Sequence, residues 1–382
     1  MKKLTFSVLF AAVLLMTACS PNPAQQADEA MNEIIKNLNA VGLSVAVVKN
    51  NKVVYTNAFG AKNIAAGTQI GVDDIFRIAS ISKSFTATAI MQLYEQGKFG
   101  LDDDVIPALG LPVRNPNYPE IPITYRMLLT HTSSLNDTTG YFLFDVINPQ
   151  KTKDVWKAYN QYAPGTQYEY CNLGFNMLGA LVEIHSGERF DLYIKKHILE
   201  PLGLNAGFNV DALNQSQFVT LYNYRNEQFI ESPDAYLSKA TELENYTMGY
   251  TTPVFSPTGG MKIAPKDLAK HMLIQMNRGV WNGVQILKPE SVAAMQTPFE
   301  LPDGKTTDYG FAITTTTRLI EGETLKGHTG SAYGLYSAMF FEPEKKFGFI
   351  TMTNGYPAQS KNGFMTIHSE VINALYEIFI KQ

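Results

Sequence analysis

A serine followed three residues later by a lysine, at Ser80 and Lys83, is the first pattern in the sequence that could do chemistry. An apolar residue recurs at every fourth position after it, which predicts a helix that starts here. Side chains three residues apart on a helix share a face, so the lysine amine could take the serine proton. The first-turn amides and the helix dipole would favour negative charge on an attacking oxygen. The same residues also fit a helix with Ser80 as N-cap and a solvated Lys83, so both interpretations stay open at this point.

Two later segments carry polar groups that a serine nucleophile could use. Tyr170-Cys171-Asn172 places a phenol and an amide just before a second predicted helix, and Gly327-His328-Thr329-Gly330-Ser331 places an imidazole and hydroxyls at the start of a late predicted strand. Similar patterns elsewhere have a different context. Tyr55-Thr56-Asn57 lies inside a predicted strand, Tyr224-Arg225-Asn226 has no helix behind it, and His185-Ser186-Gly187 is better read as a helix cap. Three matches therefore remain, namely Ser80 at a helix start, Tyr170 in a loop and His328 in a strand.

Strands are predicted near both ends of the chain, with helices between them. Residues 43–48 and 53–58 are β-rich and are joined by Lys49-Asn50-Asn51-Lys52, which predicts a hairpin. Further β-rich runs cover residues 310–317, 334–341 and 347–353. The apolar stripes of the two helices are Ile81, Phe85, Ala89 and Leu93 in the first, and Leu173, Met177, Leu181 and Ile184 in the second. We expect the two ends of the chain to share one sheet beneath a helical layer, with the site in the cleft between them.

Composition excludes several classes of protein. Of 382 residues, 45% are hydrophobic and 17% are charged, which is typical of compact globular proteins. Lys and Arg total 31 against 35 Asp and Glu, with no concentrated basic run, so we expect no nucleic-acid partner. Two cysteines cannot form a disulfide framework, and a lone Cys171 is more typical of a small buried apolar residue than of a nucleophile. No histidine pair has metal-ligand spacing, so we predict no metal and no other cofactor.

The first residues are typical of an export signal. Lys2 and Lys3 precede an apolar run, residues 4–16, that is too short to span a bilayer, and Thr17-Ala18-Cys19 resembles the end of a bacterial lipoprotein signal. We therefore predict a signal peptide over residues 1–18, lipidation at Cys19 and a tether over residues 19–30. The protein would then be exported to the periplasm or cell envelope and held at a membrane by its lipid anchor. Secretion with cleavage near Ala18 and an apolar N-terminal helix of a cytoplasmic protein are the alternatives.

The order S-x-x-K, Y-x-N, H-T-G resembles the serine β-lactamase and penicillin-binding-protein superfamily. Within it, the chain is most similar to the peptidase S12-like branch of class C β-lactamases and D-Ala-D-Ala carboxypeptidases. Residues 128–135 resemble a family segment in which Ser134 replaces the usual glycine, and Ser134-Leu135-Asn136 is a weaker alternative for the middle motif. Further similar segments are Leu101-Asp102-Asp103, Ala163-Pro164-Gly165-Thr166, Glu200-Pro201-Leu202-Gly203 and Gly259-Gly260-Met261.

The resemblance covers about Gly42 to Asn354 and implies an α/β (α+β) fold, with an antiparallel sheet flanked by helices and a mostly helical region. We expect a single catalytic unit over residues 31–382. Its sheet region would span about residues 31–79 and 245–382, and its helical region about residues 80–244.

The resemblance also implies roles for the site residues. Ser80 would form an acyl-enzyme, Lys83 would act as base, and Tyr170 would relay the proton or share the role of base. Asn172 would hydrogen-bond Lys83 or the substrate, and the backbone amides of Ser80 and Ser331 would form the oxyanion hole. The His328-Thr329-Gly330-Ser331 segment would bind the polar or carboxylate end of the substrate, with a charge on His328 that depends on pH.

These roles predict a serine hydrolase acting on amide or ester bonds of small peptides, with D-Ala-ending peptides as the first expectation. A class C-like β-lactamase, a carboxylesterase and a penicillin-binding sensor without turnover are the alternatives. The motifs do not separate them, because the difference lies in how fast water removes the acyl group.

Overall fold

The computed structural model describes residues 22–381, which contain ten α-helices and sixteen strands. The predicted signal peptide and Cys19 lie outside the described residues. The helices are α1 Pro23–Asn37, α2 Ser82–Glu95, α3 Ile106–Leu109, α4 Tyr125–Leu129, α5 Asn172–Ser186, α6 Phe190–Ile194, α7 Ala240–Glu244, α8 Pro265–Met276, α9 Pro289–Gln296 and α10 Thr366–Phe379. The strands are β1 Gly42–Lys49, β2 Lys52–Asn63, β3 Thr68–Gln69, β4 Phe76–Arg77, β5 Ala206–Gly207, β6 Tyr222–Arg225, β7 Gln228–Glu231, β8 Lys262–Ile263, β9 Val280–Trp281, β10 Val284–Gln285, β11 Thr314–Thr316, β12 Leu325–Ala332, β13 Leu335–Glu342, β14 Phe347–Thr353, β15 Ser360–Lys361 and β16 Phe364–Met365. None of the described helices combines the length and apolar composition that a bilayer crossing needs.

The main sheet joins strands from both ends of the chain, as the sequence predicts. Its seven strands run β11-β12-β13-β14-β1-β2-β3, with β1 and β14 paired antiparallel in the centre. Every residue of β14 is buried, because α1 and α10 cover one face of the sheet and α8 packs on the other. The expected antiparallel sheet flanked by helices is confirmed.

Most of the segment predicted to be a tether, residues 19–30, is helical. Residues 23–30 form the first turns of α1, which begins with the Asn22 side chain accepting a hydrogen bond from Ala24 N and with Pro23 in its first turn. Ala27 and Met31 are fully buried against the sheet. The polar composition of this segment suggested a tether, but its few apolar residues fall on one helical face and pack into the core.

The region predicted to be helical, residues 80–244, also contains strands. β6 and β7 form a hairpin whose turn residues Asn226 and Glu227 have φ angles of 49° and 61°. β5 joins β4 and β8 in a separate three-stranded sheet. The strand predicted over residues 310–317 is reduced to β11, since Ala312 adopts φ 61° and breaks the extended run.

Both predicted helices that lead from the motifs are present and buried. Eleven of the fourteen residues of α2 are buried, and α5 packs against it. α5 ends at Ser186, and Gly187, with φ 72°, caps the helix as the sequence predicts. Ser80 lies in a 3₁₀ turn, Ala79–Ile81, immediately before α2 rather than inside it.

Candidate active site

The turn that carries Ser80 is fixed by contacts with distant parts of the chain. Ala79, directly before it, has φ 48°, a conformation that costs energy for a residue with a side chain. Ile78 N donates to Met261 O at 2.9 Å, and Ile78 O accepts from Ser337 Oγ at 2.9 Å. The Ser82 hydroxyl accepts from Met261 N at 3.0 Å. These bonds hold the strained turn, so that a half-buried Ser80 side chain faces the cleft.

The third predicted motif lies beside this turn because β12 has a free edge there. β11 pairs only with residues 325–327 of β12, which leaves residues 328–332 unpaired on that side. A Cβ on Gly330 would lie 2.3 Å from Ile78 O and 3.2 Å from Ala79 Cβ. Only glycine lets the Ser80 turn approach β12 this closely. The unpaired edge of β12, residues 328–332, therefore lies beside the Ser80 turn.

Lys83 is fully buried and forms the centre of the polar site. Its Nζ lies 3.3 Å from Ser80 Oγ, 2.8 Å from Asn172 Oδ1 and 3.0 Å from Thr258 O. Burial lowers the pKa of Lys83 to about 7, while the Asp137 carboxylate acts in the opposite direction. A large share of the lysine is therefore a neutral amine at neutral pH, which removes the interpretation of Lys83 as a solvated side chain.

The partners of Lys83 decide which way its lone pair points. Thr258 O is a carbonyl and can only accept, and Asn172 Oδ1 also faces Lys83 because its Nδ2 donates to the Asp137 carboxylate at 2.8 Å. The two N–H groups of a neutral amine satisfy these two acceptors. The lone pair is then left for Ser80 Oγ, which is the arrangement that a base needs.

Tyr170 lies over the same lysine. Its ring centroid is 4.6 Å from Lys83 Nζ, and no residue of the described chain forms a hydrogen bond of ordinary geometry with its buried hydroxyl. Burial raises the pKa of Tyr170 well above its usual range, and the nearby Ser80 hydroxyl opposes this only in part. Tyr170 is therefore a neutral phenol that could pass a proton, and Lys83 is the better base of the two.

His328 does not carry the pH-dependent charge that the sequence suggested. Its Nδ1 lies 2.5 Å from Thr329 O, and its Nε2 lies 3.0 Å from the Tyr309 hydroxyl. The carbonyl requires a proton on Nδ1, so Nε2 accepts from Tyr309. Burial, together with the nearby Lys83, lowers the pKa of His328 to about 4. The imidazole is therefore neutral throughout the physiological pH range. The expected pH-dependent charge on His328 is wrong because the side chain is buried behind Tyr309.

Asp137 is a site residue that the sequence analysis missed. Its carboxylate accepts from Asn172 N at 2.9 Å, Leu173 N at 3.0 Å and Asn172 Nδ2 at 2.8 Å. It thus fixes the start of α5 and the orientation of the Asn172 amide together. No spacing or motif marks this residue, which lies 35 positions before Asn172.

Replacing Asp137 with asparagine is expected to lower the free energy of unfolding by about 1–3 kcal/mol, because backbone donors at the start of α5 lose a charged acceptor. Loss of the carboxylate also removes the interaction that raises the pKa of Lys83. The acidic midpoint of the kcat/KM profile should therefore move to lower pH. Denaturant melts and pH–rate profiles would measure the two effects.

The exposed Asp154, which is paired with Lys157, offers a matched control. Asp154→Asn should change neither quantity. A pH midpoint in Asp137→Asn that equals the wild-type value would contradict a positioning role for Asp137.

The segment that resembles L-L-T-H-T-S-G-L supports the Tyr170 loop. Ser134 has φ 61°, which is the conformation that a glycine at this position would supply without strain, and its Oγ accepts from Asn115 Nδ2 at 3.0 Å. His131 accepts from Cys171 N at 3.1 Å, and its ring centroid lies 4.3 Å from that of Tyr170. The segment is thus structural, and Ser134 belongs to it rather than to the chemistry.

Cys171 is a buried free thiol. Burial and the neighbouring Asp137 carboxylate raise the pKa of its thiol well above the usual range, and its Sγ lies 3.4 Å from Asp137 Oδ1. It is therefore a poor nucleophile. Within residues 22–381, no cluster of three or more His, Cys, Asp or Glu side chains could hold a metal ion.

The chain is similar in sequence and in fold to known proteins. A family model described as Beta-lactamase matches residues 28–368. The octameric penicillin-binding protein homologue from Pyrococcus abyssi is 28% identical and superposes with a TM-score of 0.71, over 93% of this chain and 76% of that chain. The β-lactamase/D-alanine carboxypeptidase from Pseudomonas syringae is 19% identical, with a TM-score of 0.68 over 93% and 98% of the two chains.

Among curated proteins, Protein flp from Staphylococcus aureus (strain N315) is 22% identical over 349 residues. The match covers 88% of this chain but 64% of that protein. The chain therefore spans less than two thirds of the length of this relative.

Proposed function

Since the chain belongs to the Beta-lactamase family, we propose that it is a serine hydrolase and that it hydrolyses amide or ester bonds of small peptides through an acyl-enzyme on Ser80. The observation that carries this proposal is the pairing of Ser80 Oγ with a buried Lys83 whose other two partners are acceptors. Such an amine can take the serine proton as the hydroxyl attacks a carbonyl.

The remaining steps follow from the groups around Ser80. As the oxygen attacks, negative charge develops on the substrate carbonyl oxygen between the Ser80 turn and the free edge of β12, where backbone amides of Ser80 and Ser331 would stabilise it. Tyr170, a neutral phenol above Lys83, would pass the proton to the leaving group. Water would then release the acyl group by the reverse sequence.

The substrate class is proposed to be small peptides that end in D-alanine or a similar residue. The support is the resemblance of the three motifs to the carboxypeptidase branch and the likeness of the fold to the β-lactamase/D-alanine carboxypeptidase. The neutral His328 supplies no charge for a terminal carboxylate, so polar contacts from the edge residues Thr329 and Ser331 would have to hold that end. A β-lactam and a simple ester would enter the same acylation step.

Intact mass spectrometry tests the proposal. The wild-type protein is incubated with benzylpenicillin, a D-Ala-D-Ala peptide and a nitrophenyl ester, and we expect an adduct of the mass of the donated acyl group with at least one of them. Trypsin cleaves after Arg77 and Lys83, so the adduct should map to residues 78–83. Fragmentation then separates Ser80 from Ser82, whose hydroxyl is buried and bonded to Met261 N.

The donors also separate the alternatives. Turnover of the D-Ala peptide would support the carboxypeptidase-like function, whereas rapid turnover of the penicillin would favour a β-lactamase function instead. The absence of adduct and turnover with all three donors would overturn the acyl-enzyme proposal.

We also propose that the protein acts outside the cytoplasm, on the strength of the N-terminal pattern that ends at Cys19. Fractionation of cells that produce the full chain tests this, because Cys19→Ala should release the protein from the membrane fraction if Cys19 carries the lipid.

A further inference from the structure

A cavity of about 630 Å³ lies next to the catalytic centre and includes none of its side chains. Its rim carries Phe142, Leu143 and Leu237, which are 48%, 65% and 53% exposed, and its floor carries Arg77 and Lys262. We call this cavity the Arg77/Lys262 pocket. Its volume suits a small organic ligand, and the apolar rim suits the body of such a ligand.

The floor carries two basic side chains that are buried and have no carboxylate within ion-pair distance. Arg77 is 9% exposed and Lys262 is 3% exposed, and neither forms an ion pair in residues 22–381. Burial, together with Arg77 and the rim residue Lys239, lowers the pKa of Lys262 well below its usual range, and the carboxylates of Asp211 and Asp191 oppose this only in part. Arg77 is therefore the cation of the empty pocket, and an anion bound beside it would favour protonation of Lys262.

Both side chains keep hydrogen-bond donors for a ligand. Lys262 Nζ has one bond, to Phe208 O at 2.6 Å, although an amine has two N–H donors and an ammonium group has three. Arg77 donates to Gly259 O at 3.0 Å, but its bonds to Ser256 Oγ and Ala235 O are long, at 3.4 and 3.5 Å. A carboxylate could accept from both residues at once.

The acidic residues of the pocket are placed away from its floor. Asp234 and Glu242 are exposed on the rim, and Glu242 pairs with Lys239 at 3.3 Å. Water screens exposed charges more than buried ones. The floor therefore carries the Arg77 charge, and no acidic residue of the pocket, where a ligand would lose its water.

The pocket and the catalytic centre share a wall, residues 256–259. Lys83 binds Thr258 O on one side of this wall, and Arg77 binds Gly259 O on the other. Arg77 is three residues before Ser80, so their backbones are at most about 11 Å apart. Tyr333, two residues after Ser331, lies over the Arg77 guanidinium at 4.9 Å. A substrate held at Ser80 could thus place one of its groups in the pocket.

We propose that the Arg77/Lys262 pocket binds the carboxylate of an apolar side group of the substrate, which selects substrates that carry such a group. The assignment to the substrate rests on the proposed hydrolase function, whereas binding of an apolar carboxylate does not. The anion would lie in the floor between Arg77 and Lys262, and the apolar part would contact Phe142 and Leu237 on the rim.

Calorimetry on Ser80→Ala, in which no turnover interferes, tests the binding. The probes are phenylbutyrate and its neutral analogue phenylbutyramide. We expect the carboxylate to bind at least about tenfold more tightly, because only it can accept charge-assisted bonds from the floor. In Ser80→Ala/Lys262→Met this preference should be reduced, because Arg77 alone is left to hold the charge, and in Ser80→Ala/Lys262→Arg it should be kept.

Lys326 offers a matched control lysine outside the pocket, since it is partly buried and donates to the backbone at Gln296 O. Lys326→Met, added to Ser80→Ala, should keep the preference for the carboxylate. Because Lys262→Met could fail to fold, a second measurement uses bromophenylbutyrate soaked into crystals of Ser80→Ala, where we expect the bromine signal inside the pocket. Equal affinity for the acid and the amide, or a bromine signal elsewhere, would overturn the binding site.

Inhibition of the wild type tests the link to substrate. Phenylbutyrate should raise KM for a nitrophenyl ester with a bulky acyl group and leave kcat unchanged. Inhibition that lowers kcat alone would overturn the assignment to the substrate. Carboxylate binding without any Ser80-dependent hydrolysis would instead overturn the proposed function, while the Arg77/Lys262 pocket would still be a binding site for apolar carboxylates.

Discussion

Replacing Ser80 with alanine is expected to lower kcat/KM by at least about 10⁴-fold, because the change removes the atom that attacks the substrate. The free energy of unfolding should stay close to the wild-type value. Ser80 Oγ is half-buried, and its hydrogen bond with Lys83, at 3.3 Å, is the longest of the three that the lysine forms. Hydrolysis of a nitrophenyl ester and a denaturant melt would measure the two quantities.

The nearby Ser82 serves as the control, because its replacement should lower stability and leave activity nearly unchanged. Its hydroxyl accepts from the buried Met261 N at 3.0 Å and so supports the Ser80 turn, but the bonds at Ile78 N and Ile78 O also hold that turn. Ser82→Ala should cost about 1–3 kcal/mol of stability, since a buried donor loses its partner, while kcat/KM stays within a few-fold of the wild type. Comparable activity in Ser80→Ala and the wild type would refute the role of Ser80 as nucleophile.

Replacing Lys83 with methionine should slow acylation by about 10²–10⁴-fold, the usual contribution of a general base. Methionine keeps the length and apolar stem of the side chain but cannot accept a proton. Lys83→Arg should be impaired to a similar extent, because a guanidinium stays protonated at every accessible pH. Stopped-flow release of nitrophenol gives the acylation rate, and Lys326→Met again provides a control lysine.

The same lysine predicts the pH dependence. Its neutral form is the active one, and its pKa is lowered to about 7, so kcat/KM of the wild type should rise as pH increases through about 7. In the unfolded chain the pKa returns to 10.5, so the unfolded state binds more protons between about 7 and 10.5. The Lys83 contribution to stability therefore increases with pH across this range, and Lys83→Met removes it. A profile that is flat near pH 7 would contradict Lys83 as the base.

Much of the fold and of the candidate site could be predicted from the sequence. The β1–β2 hairpin, the helices α2 and α5 and the pairing of the two chain ends follow from alternating or fourfold apolar patterns, which are local signals. The order of Ser80, Tyr170 and His328 identified three segments that the structure places together. The start of α1, which lies within the predicted tether, was not predicted. The polar composition of this segment predicts a tether, because the burial of its few apolar residues depends on a sheet formed elsewhere in the chain.

The sequence by itself determined which residue types are available for an acyl transfer and in which elements they lie, because the chemistry of a nucleophile and its base needs few residues at short spacing. Only the tertiary structure decided their protonation states and their support. Lys83 is close to neutral, and His328 is neutral, because remote segments bury them. Thr258, 175 residues away, and Asp137 set the direction of the lysine lone pair. Burial and electrostatic interaction depend on distance in space, which a pattern along the chain does not contain.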